Sequence, residues 1–144
     1  MSSVSNLCHL GELHLVRAAI GLGKDVNDRS FRDKTGLMWA LSKKHNSIVK
    51  LLLEQHTLDL NHTDGQDRSA LHFAAMYDNV EGARLLLADP RLNTHNHKDT
   101  RGWTPVMAAM SFNKVNTLRE LIAHPNVDLY TIDNRGRSLE GCVR

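Results

Sequence analysis

The chain has 144 residues, 41% hydrophobic and 24% charged, with 18 Lys+Arg against 16 Asp+Glu and a formal net charge of +2. This is about one domain of ordinary globular composition, which excludes disordered and fibrous classes, and the near-balance of charge leaves no electrostatic footprint for nucleic acid. No apolar run approaches the ~20 residues of a membrane helix, and no secretory leader is expected from the first residues. Two cysteines, Cys8 and Cys142, are too few for a secreted disulfide scaffold, so reduced thiols in a cytoplasmic, or nuclear, intracellular protein are expected.

Residues 1–29 carry a second-helix pattern, Leu13-His14-Leu15-Val16 with Ile20, but only a degenerate signal for a helix before it. Cys8 falls on a small-residue core position, where a buried, inert thiol is expected. In residues 30–63, Thr35-Gly36-Leu37-Met38-Trp39-Ala40 opens a helix: Thr is a preferred N-cap, and Leu37 and Ala40 share one face. A polar break at His45-Asn46 precedes a second apolar stripe, Ile48, Val49, Leu51, Leu52 and Leu53.

The pattern returns in residues 64–98 as Ser69-Ala70-Leu71-His72-Phe73-Ala74, with a break at Asp78-Asn79 and a turn at Asp89-Pro90. Gly82 stands where the other units have Leu15, Ile48 and Thr117. Glycine inside a helix costs roughly 0.5–1 kcal/mol against alanine, so a locally soft helix is expected there. Residues 99–132 repeat it as Thr104-Pro105-Val106-Met107-Ala108-Ala109, with Pro105 at the first helical position. A break at Asn113-Lys114 and a turn at His124-Pro125 follow.

Residues 133–144 begin again with Asp133 and Ser138, so the hydroxyl residues Thr35, Ser69, Thr104 and Ser138 lie 34, 35 and 34 apart. Glu140 falls where earlier units have Leu37, Leu71 and Val106. Either a minimal cap or a piece of a longer array is expected, with Leu118, Leu121 and Ile122 poorly covered.

The hydroxyl-Pro/Ala-apolar-x-x-Ala pattern at this period resembles the ankyrin repeat. Asp25-Val26-Asn27 and Leu58-Asp59-Leu60-Asn61 resemble the stretch that leads into that family's loops. The resemblance implies an all-α helix-turn-helix solenoid whose units are joined by β-hairpin or turn loops. Its divisions would be an N-terminal capping repeat (1–29), repeats at 30–63, 64–98 and 99–132, and a partial C-terminal repeat (133–144). Departures are Asp33 and Asp67 for the turn glycine kept at Gly102 and Gly136, and Met38 and Met107 for the histidine kept at His72. Asp tolerates the left-handed backbone such a turn needs better than most residues.

Nine histidines are present, but no Cys-x-x-Cys or His-Glu-x-x-His pattern accompanies them, so no metal or cofactor is expected. No nucleophile motif or phosphate loop is found, and the chain is not expected to be an enzyme. The resemblance implies a concave contact face made of loop tips and exposed first-helix positions. Carried onto this chain, the partner-binding candidates are Arg32, Lys34, Arg68, Arg101 and Trp103 at the tips, and Lys43, Met76, Tyr77 and Phe112 on the helices. Trp39 is expected to be packing, and whether Phe112 is core or surface stays open.

Arg, Trp, Tyr and Met are residue types enriched at interfaces. The expected ligand is another protein presenting an extended or helical peptide of acidic character to a monomeric, non-enzymatic scaffold. Two other readings stand beside it: a regulatory inhibitor subunit of an enzyme such as a kinase, or the repeat segment of a larger enzyme or channel. The resemblance further implies Asn61 as a hydroxylation site, with Leu53 eight and Asp59 two residues upstream.

Overall fold

A hydroxyl starts each helix pair. In a computed structural model, which describes residues 3–139, Ser3, Thr35, Ser69 and Thr104 each accept from the amide three residues ahead. These bonds satisfy orphan N–H groups of the first turn. They open α1 (Val4–Leu10), α3 (Gly36–Lys43), α5 (Ala70–Met76) and α7 (Pro105–Ser111). Each of these helices is followed by a residue in the left-handed conformation: Gly11, Lys44, Asp78 and Asn113, at φ 77°, 60°, 53° and 56°. The reversal there leads into α2 (Leu13–Gly21), α4 (Asn46–Leu53), α6 (Val80–Ala88) and α8 (Val115–Ala123).

The first helices pack in series, α1 on α3 on α5 on α7, and the second helices follow in parallel, α2 to α4 to α6 to α8. Small residues at the middle layer, Ala40, Ala74, Ala75, Ala108 and Ala109, are buried and allow close approach. Leu37, Leu41, Ile48, Leu52, Phe73, Leu86 and Leu121 fill the space between layers. Apolar burial of this kind stabilises by about 25 cal/mol per Å² removed from water. It runs continuously along the stack, as in a solenoid.

One sequence expectation needs correction. The loops are not β-hairpins: among the described residues there is no strand, and extended pairing is reduced to isolated bridges between Arg29 and Thr35 and between Thr63 and Ser69. Each loop closes on one backbone bond, such as the Asp64 amide to the Arg68 carbonyl at 3.0 Å, and in the later loops the return amides go to side chains instead. Asp64 Oδ1 accepts from the backbone of Gln66 and Arg68 at 3.0 and 2.8 Å. Asp99 does the same for Arg101 and Trp103, and Asp133 for Arg135 and Arg137. Further loop amides reach across to the neighbouring loop, from Gly65 to the Arg32 carbonyl, Thr100 to Gln66 and Asn134 to Arg101. The fold is therefore an all-α solenoid whose last three described loops are wrapped on carboxylates.

A second ladder ties the repeats on the stretch before each loop. The Asn27 side chain donates to the Thr57 carbonyl and accepts from the Asp59 amide. Asn61 bridges Arg91 and Asn93 in the same way, and Asn96 bridges Asn126 and Asp128. Tyr130 occupies the next register position and is 91% exposed.

Three local expectations meet the structure with different outcomes. The segment with the degenerate signal forms a full α1, because Asp28 accepts from the Val4 and Ser5 amides at 2.9 and 2.8 Å and adds to the Ser3 cap. At Gly82 the helix is complete over Val80–Ala88. A Cβ there would meet Leu41 Cδ2 at 2.6 Å and Asn79 Nδ2 at 2.7 Å, so glycine is demanded by close approach. Of the apolar flank at α8, Leu121 is buried and Leu118 half-buried, and Ile122 is exposed. Glu140 and Cys142 lie outside the described residues.

Candidate functional site

The loop tips and the C-terminal ends of the first helices form one face, and its side chains fall into registers. Lys34, Arg68, Trp103 and Arg137 share one position of successive loops, and Arg32, Gln66, Arg101 and Arg135 share another. The loop-to-loop backbone bonds hold these registers side by side.

Cations on this face lie over aromatic rings. Lys34 Nζ is 4.5 Å from the Trp39 ring centre and 5.5 Å from that of Phe73, and the Arg68 guanidinium is 4.9 Å from Phe73. Arg101 covers Trp103 at 3.8 Å, and Arg32 covers Phe31 at 5.1 Å. Such contacts are attractive by about 0.5–1 kcal/mol at exposed sites. Tyr77 stacks parallel to Phe73 at 6.4 Å, and the Phe112 ring meets Trp103 edge-on at 6.1 Å.

Beneath the arginines lie buried carboxylates. Asp64, Asp99 and Asp133 pair with Arg68, Arg101 and Arg137 at 2.9, 2.8 and 2.8 Å. Burial pushes the Asp133 carboxyl up. Hydrogen bonds from the Arg137 backbone and guanidinium, the Arg135 amide and the Trp103 indole more than offset this and hold it at about 2. The Lys34 ammonium is shifted down, first by burial and then by Arg68, Arg32 and Lys43, with only Asp64 opposing.

The predicted site residues divide by exposure. Arg32, Lys43, Arg101, Tyr77 and Phe112 are exposed, and Lys34, Arg68 and Met76 are half-buried. Phe112 is therefore a surface ring seated on Trp103, 42% exposed. Trp103 is a correction: only 4% exposed, it is a wedge between two loops rather than an open anchor. Its indole N–H donates to Asp133 at 3.2 Å, and Arg101 roofs it. Trp39, expected in the packing, is half-buried, with its indole N–H on Ser30 Oγ at 2.6 Å and the His9 ring tilted against it by 31° at 4.1 Å. Sequence reasoning missed Phe73 and Trp39 as cation platforms, although the lysine or arginine at each loop end is a usable signal.

Asn61 is half-buried with both ends of its amide engaged in the ladder. His72 is fully buried; its Nδ1 accepts from the Ser69 amide and its Nε2 donates to the Trp103 carbonyl at 2.7 Å. Among the described residues no group of three or more His, Cys, Asp or Glu is placed to hold a metal ion, and no helix is long and apolar enough to cross a membrane. Burial, and then Asp28, pushes the Cys8 thiol up to about 12, far from a reactive thiolate. No catalytic constellation assembles on these residues.

Comparison with known proteins agrees with this architecture. A family model described as "Ankyrin repeats (3 copies)" matches residues 5–96. Target of rapamycin complex 2 subunit AVO2 of Saccharomyces cerevisiae is 29% identical over 115 residues, 76% of this chain and 26% of that protein. BTB/POZ domain-containing protein 1 of Schizosaccharomyces pombe is 32% identical over 111 residues, 76% of this chain and 8% of its own length. SMC5-SMC6 complex localization factor protein 1 of Homo sapiens is 33% identical over 130 residues, 89% and 11% respectively. The chain thus spans about a quarter or less of the length of these relatives. It belongs to the ankyrin repeat family, whose stacks work as non-enzymatic protein–protein interaction scaffolds.

Proposed function

We propose that the chain is a monomeric intracellular scaffold that receives an extended acidic segment of a partner protein on its concave, loop-tip face. The observation that carries this reading is the series of cations on aromatic rings across successive repeats, from Lys34 on Trp39 and Phe73 to Arg101 on Trp103. Tyr77, Met76 and Phe112 supply the apolar part of the contact. Arg32, Lys34, Lys43, Arg68 and Arg101 supply the charge, and Trp103 acts from beneath as the wedge that seats Arg101 and Phe112. Positive patches of this kind steer association and fix register more than they raise affinity.

The test is affinity capture from cell extract with mass-spectrometric readout, wild type against the Tyr77→Ala/Phe112→Ala double variant. Partners are expected to be lost while the melting temperature stays nearly unchanged. Equal capture by both would overturn the reading.

A second reading, that the stack is the recognition segment of a larger protein, is supported by the small share of each relative that it matches. We also carry Asn61 as a proposed hydroxylation site. An unchanged intact mass for protein from hydroxylase-containing cells would reject it.

A further inference from the structure

The positive charge of the binding face is unevenly available. Arg68, Arg101 and Arg137 each hold a buried carboxylate of their own loop. In the first loop Ser30 stands in the register of Asp64, Asp99 and Asp133. Its hydroxyl accepts the Trp39 indole N–H and donates to the Lys34 carbonyl, so this loop has no carboxylate of its own, and Asp64 of the next loop, which acts on Lys34, is already paired with Arg68. The nearby acids are engaged elsewhere, Asp33 with Arg29 at 3.4 Å and Asp28 with the α1 amides. Among the described residues, Arg32, Lys34 and Lys43 enter no ion pair.

We propose that residues 30–34 are the anchoring end of the face and take two carboxylates of an acidic partner segment, one at Arg32 and one at Lys34. This rests on the reading of the face as a peptide-binding surface and specifies where its charge recognition resides. Two geometric facts favour separate carboxylates over one phosphoryl group. Arg32 sits on Phe31, whereas Lys34 sits between Trp39 and Phe73, so the two cations are held on different rings. Phe31 is 68% exposed and extends its platform outward, beside which an apolar residue of the segment can pack.

The backbone is shaped for this display. Asp33 shares its left-handed backbone with Asp67, Gly102 and Gly136 of the later loops, but Arg32, at φ 60°, is the one residue of its register in that costly conformation, which clusters at ligand-holding sites. Like charges crowd Lys34, with Arg68, Arg32 and Lys43 all acting against its ammonium. An incoming carboxylate relieves that repulsion, whereas at Arg68 or Arg101 it competes with an aspartate already bound.

The probe is a displayed library of random short peptides selected on the full chain. The recovered sequence is then synthesised with its acids intact, with Gln or Asn in their place, or with phosphoserine in their place. Selected peptides are expected to carry two acidic residues flanking an apolar one and to lose binding as the amide version. Arg32→Gln/Lys34→Gln is expected to weaken binding about tenfold with unchanged helicity, and Arg101→Gln to weaken it less.

An equal or greater loss at Arg101→Gln would overturn the proposal, as would peptides without acids or a phosphoserine version that binds more tightly than the carboxylate one. Peptides that need Tyr77 but ignore Arg32→Gln/Lys34→Gln would sink the anchor and leave the face reading standing. Recovery of no peptide sensitive to Tyr77 or to this loop would sink both.

Discussion

The His72 imidazole donates from Nε2 to the Trp103 carbonyl across 2.7 Å, joining the first helix of one repeat to the loop of the next. Its other nitrogen accepts from the Ser69 amide, so one neutral ring closes a capping box and links two repeats. A proton on Nδ1 would remove the acceptor that the Ser69 amide needs. It would also place a charge in a fully buried site.

Acid should therefore unfold the protein earlier than its carboxylates alone require. Burial lowers the His72 pKa from 6.5 to about 4, against a smaller opposing effect of its bond to Trp103. Because the folded pKa lies below the unfolded one, the unfolded chain binds the proton first. Stability is then full above about pH 6.5 and falls as pH drops toward 4, on the order of 3 kcal/mol across that window. His95, also shifted down by burial and by His124, acts in the same direction. Urea unfolding between pH 7 and 4 measures the slope, and His72→Gln should flatten most of it.

Gly82→Ala should destabilise, against helix propensity, which favours alanine by up to about 1 kcal/mol. The added methyl would lie 2.6 Å from Leu41 Cδ2 and 2.7 Å from Asn79 Nδ2. Asn79 is fixed there, with Nδ2 on the Leu41 carbonyl at 3.1 Å and Oδ1 on the Gly82 amide at 2.9 Å. Overpacking of this kind costs about 1–3 kcal/mol. A raised melting temperature for Gly82→Ala would show that the cap has room to shift.

Lys44→Gly should have the opposite sign. Lys44 is at φ 60° in the register that Gly11 holds at 77°. Relief of its left-handed strain is worth about 1–2 kcal/mol, partly offset by the greater freedom of glycine in the unfolded chain. A net gain of about 0.5–1 kcal/mol is expected by thermal melting. Gly102→Ala is the counter-test: at φ 78°, with the Asn134 side chain and amide where an added Cβ would stand, it should lose stability by more than Lys44→Gly gains.

The helix starts α3, α5 and α7 are legible because their chemistry is local: a hydroxyl, then an apolar face, within a few residues. α1 is harder to read, since part of its cap is Asp28, 24 residues further along the chain. The aspartates of the loops are visible as a periodic series, but not their effect. The amides that each aspartate takes lie two and four residues on in its own loop, so the bond is local, but a residue type alone does not say whether its carboxylate or a backbone carbonyl is the acceptor. The site residues follow the same division. Exposure of Tyr77 follows from its place at the end of α5, whereas burial of Trp103 depends on Asp133, 30 residues away.

That difference gives a test separating binding from packing on one face. Trp103 bonds Asp133, contacts Phe112 and lies under Arg101, so Trp103→Ala removes a large buried ring and leaves the Asp133 carboxylate without one donor. Aromatic-to-alanine changes in a core cost about 3–5 kcal/mol. The melting temperature should fall sharply, and partner binding should fail along with the fold. Trp103→Phe keeps most of the volume and loses the indole N–H, so a smaller loss is expected, near the 1–3 kcal/mol of an unmet buried polar group. Tyr77→Ala, at a residue 43% exposed and stacked on one face of Phe73, should cost little stability but weaken a bound peptide. Parallel melts and titrations of the three variants check the division. If Trp103→Ala melts like the wild type while losing only its ligand, the indole is an open anchor and the wedge assignment is wrong.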